Sequence, residues 1–141
     1  MDDGKVRQDI ETFLAGWPGE TQPMRDWFRL FYDELSRLPD VALSFAGRPG
    51  ISFSMRPKHA RQAGRNFFAI VDVIDDDPAA RWLSVCFYGD MITDPDVRGE
   101  VIPGGLAGDD GYCFDMYEND ETLARYLVDR LHEAAGNAAK E

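Results

Sequence analysis

Two neighbouring stretches, residues 66–75 and 81–88, are apolar at nearly every position. They are too short to be long helices and rich in β-branched and aromatic side chains, which suits strands. In a strand, successive side chains alternate between faces. Phe67, Ala69, Val71 and Val73 then mark one face of the first stretch, and Phe68, Ile70 and Ile74 the other. Leu83, Val85 and Phe87 oppose Trp82, Cys86 and Tyr88 in the second. Strands apolar on both sides are covered on both faces. Asp75-Asp76-Asp77-Pro78 supplies a solvated turn between them.

The flanking segments complete a sheet. Val41, Leu43 and Phe45 alternate with small residues, as do Ile51, Phe53 and Met55, and Gly47-Arg48-Pro49-Gly50 lies between. This is a hairpin signal. Tyr112, Phe114 and Met116 mark a fifth strand. Helices bracket the strands. Val6, Ile10, Phe13 and Leu14 share one helical face before the Gly16-Trp17-Pro18-Gly19 breaker. Met24, Trp27, Phe28, Phe31, Leu35 and Leu38 form a longer stripe, with Thr21 as N-cap, Pro23 in the first turn and Pro39 as terminator. Asn119 opens a last helix carrying Leu123, Tyr126, Leu127, Leu131 and Ala134. The expected fold class is α+β: a five-stranded antiparallel meander with two N-terminal helices and one C-terminal helix, in the order α-α-β-β-β-β-β-α. The 141 residues form one domain, with about four residues frayed at the start and five at the end.

That architecture leaves one face of the sheet to be covered. The short first helix, the aperiodic segment 89–110 or a partner subunit could supply the cover, so a homodimer through the second sheet face is expected. Connectors as long as 89–110 are uncommon inside compact domains and are often functional. Arg98 and Glu100 make this one a candidate lid loop.

The net charge of −11 disfavours nucleic acid and anionic membranes as partners. No stretch is long and apolar enough to cross a bilayer, and the acidic start Met1-Asp2-Asp3 carries no leader signal. A cytoplasmic protein is expected. Cys86 and Cys113 read as reduced core thiols, or as a disulfide if their strands are neighbours. Against the acidic background, Arg48 to Arg65 holds five basic residues and no acid. Arg56, Lys58, His59, Arg61 and Arg65 are therefore the candidate anion-binding residues, suited to a small anionic ligand.

No catalytic residue, cofactor or metal site is expected. The chain lacks G-x-x-x-x-G-K-[ST], H-E-x-x-H, G-x-S-x-G and C-x-x-C. Asp94-Pro95-Asp96-Val97-Arg98-Gly99 fails as a calcium loop, because its fifth position is Arg98 and its twelfth is Gly105.

A helix ending near Leu38-Pro39, a strand over Ile51–Met55 and further strands over Phe67–Val71 and Leu83–Phe87 together resemble small bacterial YdhG-like proteins and related domains of unknown function. The resemblance spans residues 24–135. It implies an antiparallel sheet with helices on one side and transfers no catalytic residue. The element order and acidity are also similar to frataxin-like folds, which implies metal handling by acidic residues as one alternative. The leading expectation is a non-enzymatic binding or regulatory module. Another alternative is an enzyme acting on an anionic small molecule through Arg56–Arg65.

Overall fold

The computed structural model describes residues 3–106 and 108–141. Of the four residues expected to fray at the N-terminus, two lie outside the described residues, and Asp3 and Gly4 belong to the first helix. Helix α1 spans Asp3–Ala15 and α2 spans Gln22–Ser36. In α2, Met24, Phe28, Phe31, Tyr32 and Leu35 are buried along one face, as the helical spacing requires. Thr21 stands at the N-cap position without capping the backbone. Its hydroxyl instead accepts from the Trp17 indole N–H at 2.8 Å and so fixes the corner between the helices. Helix α3 spans Glu121–Ala138. Its cap is Asp120, whose carboxylate accepts from the Leu123 amide. Asn119, the expected cap, accepts from the Trp27 indole at 2.8 Å and ties α2 to the start of α3. Near the C-terminus, Ala138 is fully buried, and the Asn137 side chain donates to the Met91 carbonyl.

The sheet has six strands, not five. They are β1 (Val41–Arg48), β2 (Ser52–His59), β3 (Ala69–Ile74), β4 (Trp82–Tyr88), β5 (Glu100–Leu106) and β6 (Asp109–Met116). All neighbours are antiparallel, in the order β1-β2-β3-β4-β6-β5. The meander expectation fails at its end. About a third of the aperiodic segment 89–110 is strand β5, and the chain crosses past β6 to reach that edge. The β5–β6 ladder is irregular between Ile102 and Leu106, where Pro103 has no amide donor and Gly104 has a φ of 63°.

All three helices lie on one face. The ring of Phe13 in α1 meets Phe45 and Phe53, Phe28 in α2 meets Phe45, and Tyr126 in α3 meets Phe114. Register places Phe45, Met55, Val71, Val85 and Phe114 in one row beneath them. Met55, Val71, Val85 and Phe114 are at most 1% exposed. Each such side chain contributes about 1.5–3 kcal/mol of burial. The crossover 89–99 is bound to α3: the Thr93 amide and hydroxyl both donate to Glu133, and the Asp96 amide donates to the Tyr126 hydroxyl oxygen. Neither α1 nor the crossover covers the second face.

One corner of that face is covered locally. Phe67 stacks on Tyr88 at 5.3 Å, and the Arg65 guanidinium lies 3.8 Å from the centre of the Tyr88 ring. Phe67 thus shares a face with Ile70, three residues on, rather than with Val71 as strict alternation demands. The pleat slips by one residue just before β3. Cys86 and Cys113 face each other across the neighbouring strands β4 and β6 and form a disulfide, the alternative the sequence leaves open for neighbouring strands.

Candidate functional site

The second face of the sheet is open beyond the Tyr88 corner, and its residues stand in rows set by strand register. Ser54, Asp72, Ser84 and Asp115 oppose one another across β2, β3, β4 and β6. The next row runs from Ile70 through the Cys86–Cys113 disulfide to Glu100 on β5. On the other side lie Arg48, Ser52, Ile74 and Trp82. The Trp82 ring leans on Tyr117 at 4.5 Å, and Tyr117 is 67% exposed. Ala42, Ser44 and Ala46 on β1 are small and exposed. The surface is a broad plane with an apolar middle.

Its charge is divided. Arg48, Arg56 and Lys58 belong to β1 and β2, whereas Glu100 and Asp115 belong to β5 and β6. Asp72 sits between the two halves. Burial raises its pKa, and the Ser54 hydroxyl and the Arg56 and Arg48 charges offset only part of that effect. Its Oδ1 is buried and has no hydrogen-bond partner.

The five basic-segment residues do not converge on one pocket. Arg56 lies on the open face, with Nε donating to Ser54 Oγ at 3.1 Å and its guanidinium 5.3 Å from the Phe67 ring centre. Lys58 lines a hollow beside Asp40 and Ala42 at the end of β1. His59 is 7% exposed, and its Nδ1 accepts from the Arg61 amide at 3.1 Å. It shapes the turn, as does Gln62, whose side chain accepts from the His59 amide and donates to the Phe67 carbonyl. The Arg61 side chain is exposed. Arg65 is engaged: its guanidinium forks onto Asp90 at 2.8 and 3.1 Å and reaches Asp109 at 3.3 Å.

The candidate lid residues separate as well. Arg98 ends the crossover and donates to Asp120 at 3.1 Å, while Glu100 opens β5 opposite Cys113. The crossover is organised by Asp94. This carboxylate accepts from the Tyr112 and Tyr126 hydroxyls and from the Arg98 and Gly99 amides. Burial alone would raise its pKa, but these bonds outweigh burial and hold it at about 2.

A second charged centre lies at the opposite end of β4. Arg81 Nε donates to Asp75 Oδ1 at 2.7 Å, and both residues are buried. Asp75 also accepts from the Gly50 amide. The Arg81 guanidinium lies about 5 Å from the ring centres of Phe13, Trp17 and Phe53. The sequence marks Asp75 only as a turn residue, because its partners Gly50 and Arg81 come from two other segments. A cleft of about 160 Å³ opens between α1, α2 and β1, lined by Arg7, Tyr32, Ser36 and Leu43. Among the described residues, no three of His, Cys, Asp and Glu are grouped to hold a metal ion. No helix of the described chain is long and apolar enough to cross a membrane.

Comparison with known proteins found no matching family model, no matching curated protein and no matching solved structure.

Proposed function

We propose that this chain is a non-enzymatic protein-binding module and that the open sheet face is its working surface. The observation that carries this is the half-exposed apolar band of Ile74, Trp82 and Tyr117 on a sheet face that no described helix covers. Exposed contiguous apolar surface rimmed by charge is characteristic of interaction sites. The reading also agrees with the dispersal of His59, Arg61 and Arg65, which leaves an anionic substrate without convergent cations. Metal handling of the frataxin kind ranks lower still, given the scattered carboxylates. An antiparallel sheet with helices on one side fits the proposed kinship to small bacterial YdhG-like proteins, which brings no catalytic residue with it. The disulfide suits an oxidising compartment better than the reducing cytoplasm.

The test is amide chemical-shift mapping on the isotope-labelled protein, titrated with acidic peptides, basic peptides and small anions such as citrate and ATP. Shifts confined to open-face positions of β2, β3, β4 and β6 are expected with peptides. Shifts clustered instead around Arg7, Tyr32 and Ser36, or around Lys58 with the small anions, would place the site elsewhere and sink the proposal.

A further inference from the structure

We infer that the occupant of the open face is a second copy of this chain, related by a two-fold axis that runs parallel to the strands between β3 and β4. This rests on the open face being the working surface.

Charge division selects the axis. A two-fold parallel to the strands carries β1 and β2 of one copy over β5 and β6 of the other. Arg56 then shares a row with the partner's Glu100, and Arg48 and Arg56 flank the row of the partner's Asp115 from either side. A two-fold perpendicular to the strands would instead set basic strands over basic strands. Like charges directly apposed disfavour a pairing strongly.

The same operation keeps each row at its own height along the strands. Asp72 on β3 therefore faces the partner's Ser84 on β4. In the neighbouring row, Ile74 meets the partner's Trp82, and the contact is repeated by symmetry. The apolar band closes on itself.

The area is of the right scale once side-chain relief is added. Six strands about 4.8 Å apart, each offering roughly six residues at about 3.3 Å, make a plane of roughly 600 Å² before side-chain relief is counted. Specific interfaces bury about 800 Å² on each partner. Small side chains on β1 (Ala42, Ser44 and Ala46) leave room for the side chains of the partner's β5.

Sedimentation velocity on the full chain across a micromolar series tests this. A reversible dimer is expected. Arg56→Glu and Asp115→Arg should each weaken it at least tenfold, and the chain carrying both changes should recover pairing, because each altered side chain then meets its opposite across the axis. Arg48→Glu serves as a second disrupting variant should Arg56→Glu fail to fold, with circular dichroism as the check. A monomer at every concentration overturns self-pairing and leaves the open face available to a different protein. A dimer indifferent to both single changes overturns self-pairing through this face and removes support for the face as the working surface.

Discussion

Asp94 shows how much one carboxylate can organise. Its four donors come from the crossover itself, from β6 and from α3. They hold a turn in which Val97, a β-branched residue, adopts a φ of 53°. That conformation costs such a residue about 1–2 kcal/mol on its own. Asp94→Ala should lower stability by about 2 kcal/mol in urea unfolding, the scale of hydrogen bonds to a partly exposed charged group. It should also speed amide exchange at Arg98 and Gly99. The pH dependence has a definite sign. The folded pKa of about 2 lies below the ordinary 3.8, so the contribution of Asp94 is complete above about pH 4 and is lost as pH falls towards 2. The variant should therefore differ from the parent at pH 7 and converge with it near pH 2. In the sequence, Asp94 stands out only as the first position of a failed calcium loop. Tyr112 and Tyr126 are 18 and 32 residues away, and no local pattern links them to it.

At the scale of elements, the pairing of β4 with β6 is locked covalently. The Cys86–Cys113 bond closes a loop with a sequence separation of 27 residues, which includes the crossover and the whole of β5. Chain-entropy reasoning assigns such a closure roughly 3 kcal/mol. Urea midpoints with and without a thiol reductant should differ by about that much, and the Cys86→Ser/Cys113→Ser variant should match the reduced protein. An unchanged midpoint would show that the reduced chain loses nothing from the unconstrained loop. Strand β5 itself was not legible in the sequence. Val101-Ile102 is a strand signal, but Pro103-Gly104-Gly105 destroys the alternation. An edge strand paired on one side tolerates that interruption because half of its backbone groups face no ladder. The reverse holds for β3 and β4: dense apolar sequence identified them as strands, and the structure places them at the centre of the sheet. Their apolar second face nonetheless misled. Part of it meets the Arg65–Phe67 corner through the one-residue slip before β3, and the rest stays open.

At the scale of the whole molecule, Arg81 joins parts distant in sequence. It reaches α1 and its following turn through Phe13 and Trp17, β2 through Phe53, and the end of β3 through Asp75. Burial alone would raise the Asp75 pKa, but the Gly50 amide and Arg81 reverse it and hold it below the ordinary carboxylate value. Arg81→Ala leaves that carboxylate buried without its cation, a change that costs about 3–5 kcal/mol. Calorimetry should show one transition at a markedly lower Tm, since the loss spans three elements. Asp75→Asn added to that variant should recover part of the loss, and no recovery would mean that lost packing dominates. The basic segment shows the limit of composition at this scale. Its charge excess was plain in the sequence, yet whether five cations converge depends on turns such as the one His59 shapes, and there they diverge.

The two margins of the sheet differ in a way that bears on assembly beyond a pair. The β5 margin is interrupted by Pro103 and by the left-handed Gly104, so it offers no continuous row of donors to an incoming strand. The β1 margin is eight residues long and free of proline, and no described backbone hydrogen bond satisfies its outer groups along residues 42–47. Growth by strand addition requires two receptive margins per molecule. This sheet has one, so end-to-end polymerisation into fibres stops once two β1 strands have met.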